Sequence, residues 1–166
     1  MTAYSRSLIL EACVETIQQG LLAEKKHADR IEFCQRLDLG GVTPDHDLIR
    51  TAINKIKIPV KIMIRPRGGD FIYSDSEIDR MKSDIKYCKS IGVEEVVLGA
   101  LNNNGEVDYI LTQHLAKLAM PMKVTFHKAI DEVSNYMNAL KTLSTMQNID
   151  SVLSSGTKEN ALAGKE

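Results

Sequence analysis

Residues 60–70 read Val60-Lys61-Ile62-Met63-Ile64-Arg65-Pro66-Arg67-Gly68-Gly69-Asp70, a short β-branched run that ends on a proline and opens into a glycine turn. Such a run reads as a strand buried on both faces, and the proline marks its end. Just beyond, Ser74 and Glu77 have the spacing of a capping box. Behind them Ile78, Met81, Ile85, Cys88 and Ile91 recur at helical intervals and stop at Gly92. The unit is strand, turn, helix.

The same alternation extends in both directions. Leu8-Ile9-Leu10 leads into Glu11-Ala12-Cys13-Val14, and Arg30 to Cys34 forms a second run. Glu95 to Gly99, Lys123 to His127 and Ser151 to Gly156 supply the fourth, fifth and sixth. Leu48, Ile49, Ala52, Ile53 and Ile56 form a helical face behind Thr43-Pro44, which reads as a cap with proline in the first turn. Leu111, Leu115 and Leu118 form another face, and so do Met137, Leu140 and Leu143.

Six such alternations with no hairpin signal imply an α/β fold with a parallel sheet. No G-x-G-x-x-G follows the first strand, which favours a TIM-type (β/α)8 barrel over an open dinucleotide-binding sheet. A complete barrel takes about 200 residues or more. The 166 residues here hold only the first six β/α units. The expectation is one partial barrel domain over residues 1–166, a truncated barrel with a sixth helix beginning at Ala161-Leu162-Ala163.

Side chains alternate between the faces of a strand. Glu11 and Cys13 share one face, and so do Glu32 and Cys34, whose neighbours Ile31 and Phe33 suit packing against helices. Lys61, Met63 and Arg65 share a face, as do Lys123, Thr125 and His127. Barrel enzymes place their sites at the C-terminal strand ends. The pattern predicts that Glu11, Glu32, Arg65 and His127 converge at one mouth. Arg67 and Asp70 join from the loop after the third strand, and Lys128 and Asp131 from the loop after the fifth.

Several segments resemble the CutC family. Ala28-Asp29-Arg30-Ile31-Glu32-Phe33-Cys34 is similar to its "GADRIELC" segment, and Gly40-Gly41-Val42-Thr43-Pro44 to its "GGxTP" turn. Pro59 to Asp75 matches its signature almost throughout, Val124 to Asp131 resembles "VTFHRAFD", and Val152 to Gly156 resembles "VLTSG". Lys128 stands where the family has Arg, and Ile130 where it has Phe. Lysine keeps the charge but loses the planar fork needed for a bidentate contact. The resemblance implies a TIM-type barrel, a cytoplasmic location, self-association into a homo-oligomer, and a role in copper homeostasis with Cu(I) binding.

Two chemistries suit these residues. Soft sulfur ligands select Cu(I), and Cys13 and Cys34, with Met63 as a third sulfur, would meet inside one barrel. Free cysteines also serve as small buried hydrophobes, the reading that fits Cys88 on its helical stripe. The alternative chemistry is acid–base catalysis on a small carboxylate or phosphate. There Glu32, His127 and Asp131 would be catalytic, and Glu11, Arg65, Arg67, Asp70 and Lys128 would bind the substrate. An inward Glu–Arg network can equally be structural.

The partners expected are the copper ion that the resemblance implies or a small anion. A net charge of −1 supplies no global field for nucleic acid or an anionic membrane. No apolar run approaches the roughly 20 residues that cross a bilayer, and the polar residues Met1 to Ser7 do not read as a signal peptide. Three cysteines do not read as a disulfide framework, consistent with a reducing cytoplasm. No organic cofactor is expected.

Overall fold

The structure, a computed structural model, describes residues 8–165. Strands β1 (Glu11–Val14), β2 (Arg30–Phe33), β3 (Val60–Met63), β4 (Glu95–Leu98), β5 (Lys123–Phe126) and β6 (Ser151–Val152) form one sheet. They lie in sequence order, and every pairing is parallel. Helices α1 (Ile17–Lys25), α2 (His46–Lys55), α3 (Asp75–Ser90), α4 (Tyr109–Ala119) and α5 (Tyr136–Ser144) fill the crossovers. The sheet curls into a half-barrel with β1 and β6 as its edges.

Strand alternation sorts the residues as the pattern requires. Ile31, Phe33, Ile62, Ile64, Val96, Leu98 and Val124 pack outward against Ile49, Ala52, Met81, Ile85, Cys88, Leu115 and Ala116 of the helices. Each large aliphatic side chain so buried contributes about 1.5–3 kcal/mol. Their strand neighbours Glu32, Lys61, Cys34, Met63 and Thr125 belong to the opposite, inner face. Gly20 lets α1 approach closely, because a Cβ there would lie 2.5 Å from Ile56 Cδ1.

One helix lacks a sequence pattern of its own, and three boundaries depart from expectation. Helix α1 carries its own capping box, Thr16 with Gln19, upstream of a weakly patterned Ile-Gln-Gln-Gly-Leu-Leu run. Helix α2 begins at His46, not at Thr43-Pro44, because Thr43 is bonded elsewhere. Strand β6 spans only Ser151–Val152, because Ser154 and Ser155 turn to hydrogen-bond Asp131. Ala161 to Gly164 form a turn closed by Asn160, where a sixth helix was expected.

Candidate functional site

The inner face of the half-barrel carries polar residues at three levels. The lowest lies at the N-terminal strand ends. Lys61, 1 % exposed, places its Nζ 2.8 Å from Glu95 Oε1 and 3.2 Å from Glu11 Oε2, and donates to Thr125 Oγ1 at 2.8 Å. Arg30 pairs with the same Glu11 carboxylate. Thr125 in turn bonds Ser151 Oγ at 2.7 Å, tying β6 to the network. A buried cation enclosed by two carboxylates is compensated in charge and in hydrogen bonds.

The middle level holds the sulfurs. Parallel register sets Cys13 beside Glu32. Cys13 Sγ lies 3.9 Å from Cys34 Sγ and 3.5 Å from Glu32 Oε1. Cys13 faces the open interior, whereas Cys34 is fully buried with Met63 and Val97. Gly41 closes over this group: a Cβ there would lie 3.3 Å from Cys34 Sγ and 3.6 Å from Met63 Cε. The hydrogen bond with Cys34, then burial, then the Glu32 charge, push the Cys13 thiol well above its ordinary value. Burial, followed by the charge of Glu11, raises the Glu32 carboxyl, and its Oε2 has no partner.

The upper level lies at the C-terminal strand ends. Arg65, 5 % exposed, donates from Nη1 to the carbonyls of Leu39 (3.0 Å) and Gly41 (3.1 Å). Its Nη2 donates to the carbonyl of Gly69 at 2.6 Å. The guanidinium lies over the Phe71 ring at 4.6 Å, and the His127 ring packs on Phe71 with centroids 4.8 Å apart. His127 Nδ1 accepts from the Ala129 amide at 3.2 Å, so the ring proton sits on Nε2. Burial first, and the Arg65 charge second, bring this imidazole down to about 3, so it is neutral near pH 7. It offers a buried N–H donor rather than a free basic lone pair.

The loop residues are committed to holding loops. Arg67 donates to Glu77, to the Asp70 carboxylate and to the carbonyls of Gly68, Asp70 and Ile72, which braces the turn into α3. Asp131 accepts from Ser154 Oγ (2.6 Å), the Ser155 amide (2.9 Å) and the Thr157 amide (2.9 Å), fastening the segment after β6. Partial burial would raise this carboxyl, but those hydrogen bonds outweigh it and hold it below its ordinary value. Lys128 is exposed at the start of a 3-10 turn.

The expected convergence of Glu11, Glu32, Arg65 and His127 is therefore corrected. Glu11 opens β1 and belongs to the N-terminal level, where it neutralises Arg30 and Lys61. Glu32 stands in the middle beside the thiols. Only Arg65 and His127 share the mouth, joined through Phe71. Phe71, Glu95 and the Thr43 clasp on the Arg65 backbone were not singled out from sequence. Glu95 stands in register with Lys61, a relation that only the strand pairing reveals.

Among the described residues no group of three or more His, Cys, Asp or Glu side chains could hold a metal ion. Any metal held by thiols here would rest on the two sulfurs, with Met63 nearby. No helix among these residues is long and apolar enough to cross a membrane.

The model of the CutC family matches residues 8–166. The chain is 42% identical over 160 residues to a human copper homeostasis protein cutC homolog, covering 96% of this chain and 58% of the relative. It is 40% identical over 156 residues to a family protein CutC of Histophilus somni, covering 94% of this chain and 64% of that protein. The chain thus spans less than two thirds of these relatives. A solved structure of a copper homeostasis protein CutC from Streptococcus agalactiae superposes with a TM-score of 0.85 at 28% identity, covering 95% of this chain and 78% of that one. A dihydrodipicolinate synthase of Acinetobacter baumannii, 12% identical with a TM-score of 0.59 over 95% of this chain and 62% of its own, shares the fold alone.

Proposed function

We propose that this chain, which belongs to the CutC family, serves copper homeostasis by holding a Cu(I) ion between Cys13 and Cys34 on the inner face of its half-barrel. The observation that carries this reading is the 3.9 Å separation of the two sulfurs. Metal–thiolate bonds of about 2.3 Å, the length found for zinc, would reach one ion from both sides with little movement. Sulfur ligands favour Cu(I) over harder ions. The Met63 side chain packs with Cys34 beneath Gly41, which supports a weaker third contact from its thioether in this reading.

Copper is cargo here, and loading it costs protons. Both sulfurs must become thiolates, and the Cys13 thiol holds its proton tightly. Glu32 Oε1, at hydrogen-bond distance from Cys13, is the nearby group that can accept one. Cu(I) and free thiols both belong to a reducing compartment, which supports a cytoplasmic location in this reading.

Anaerobic titration of Cu(I) into the chain tests this, with release followed by a chromogenic chelator. One equivalent should bind tightly, and Cys13→Ser with Cys34→Ser should abolish that binding. Undiminished affinity in the double variant would remove the site from those sulfurs.

A further inference from the structure

We propose that the mouth of the half-barrel binds a small organic carboxylate between Arg65 and His127, at a site separate from the thiols. Three observations carry it. Arg65 is buried and charged, yet its hydrogen bonds all go to backbone carbonyls. Among the described residues no carboxylate lies within salt-bridge distance of it, and the nearby Asp70 is paired with Arg67. Its Nε has no acceptor. A buried cation without a counter-charge is costly, and an anion supplied from solution removes that cost.

His127 supplies the second donor. Its Nε2, the protonated nitrogen, is buried and has no acceptor. The side chain is 3 % exposed and tucked against Gly99, where a Cβ would lie 2.7 Å from the ring. That position is built, and it still leaves its donor unused. A buried donor left without an acceptor is destabilising. Phe71 joins the two groups, with the guanidinium on its ring at 4.6 Å and the imidazole at 4.8 Å.

One uncompensated positive charge and two unpaired N–H donors match the single charge and two oxygens of a carboxylate. Arg65 and His127 follow β3 and β5 at the end of the sheet where barrels of this kind bind ligands. A phosphate dianion would bring more charge than this pair neutralises. The exposed Gly69-Asp70 turn, whose Gly69 carbonyl Arg65 holds, forms the rim.

The test uses the whole chain at pH 7 and constant ionic strength, with acetate, pyruvate, phosphate and chloride as probes. Melting temperature should rise saturably with acetate or pyruvate and not with chloride. His127→Phe, which keeps the ring against Phe71, should weaken that response at least tenfold. In wild type the His127 Nε2–H resonance should move with the same saturation curve, a readout that needs no variant. The Cys13→Ser, Cys34→Ser protein should respond like wild type, so a failed copper site leaves this result intact. A response to phosphate alone would overturn the carboxylate assignment. An unmoved Nε2–H signal, or equal shifts with chloride, would overturn the site.

Discussion

Lys61 Nζ lies 2.8 Å from Glu95 Oε1 across the β3–β4 boundary, with Glu11 on its other side at 3.2 Å. The inner face at the N-terminal strand ends therefore carries an ion network rather than an apolar plug. Removing one partner of a buried pair leaves the other charge uncompensated. Lys61→Met should destabilise the chain by about 3–5 kcal/mol in urea denaturation. Adding Glu95→Gln to that variant should recover part of the loss. If Lys61→Met is neutral, the network does not hold the sheet.

Thr43 and Arg65 share three hydrogen bonds, Thr43 N to Arg65 O at 2.8 Å, Arg65 N to Thr43 Oγ1 at 2.8 Å and Thr43 Oγ1 to Arg65 O at 3.1 Å. Both groups are buried. Thr43→Val keeps the shape and leaves Arg65 O bonded to the residue-43 amide at 2.8 Å, but it orphans the buried Arg65 amide, so it should cost about 1–3 kcal/mol. Thr43→Ser should retain most of the stability. Equal losses in the two variants would assign the effect to packing.

Gly99 is a matter of space, not of backbone freedom. A Cβ there would meet His127 Cε1 and Nδ1 at 2.7 Å and Phe126 Cζ at 3.1 Å. Gly99→Ala should therefore destabilise by about 1–3 kcal/mol, the usual range for overpacking. In a double-mutant cycle, His127→Ala should relieve most of that penalty. Strict additivity would place the clash elsewhere.

His127 also sets a pH dependence. Its folded pKa of about 3 lies below the ordinary histidine value of 6.5. The unfolded chain then binds a proton that the folded chain refuses. Stability from this group is present above pH 6.5 and is lost as pH falls from there towards 3. Between pH 7 and 5 the loss is about 2 kcal/mol. Glu32, raised by burial, works in the opposite sense, so the informative quantity is the difference from His127→Gln. That variant should lack the histidine slope in denaturant melts from pH 7 to 5. Parallel slopes would show that the ring titrates normally.

Alternation along single strands was readable without coordinates. Ile31 and Phe33 had to face helices if Glu32 and Cys34 faced inward, and they do. The Ser74–Glu77 capping box and the Ile78 to Ile91 stripe are local patterns, and α3 follows them within a residue. Thr43 shows the limit: a threonine before proline reads as a cap until a partner 22 residues away claims its hydroxyl. Asp131 shows it again, because its ligands lie beyond the next helix and strand.

The amino-acid order by itself determined the alternation of strand and helix, the parallel sheet and the face each strand residue takes. These follow from local periodicity and chirality, which act over a few residues. Only the tertiary structure decided the level at which each inward side chain sits. Glu11 went to the N-terminal network, the cysteines to the middle and Arg65 with His127 to the mouth, because strand register depends on pairing between distant segments.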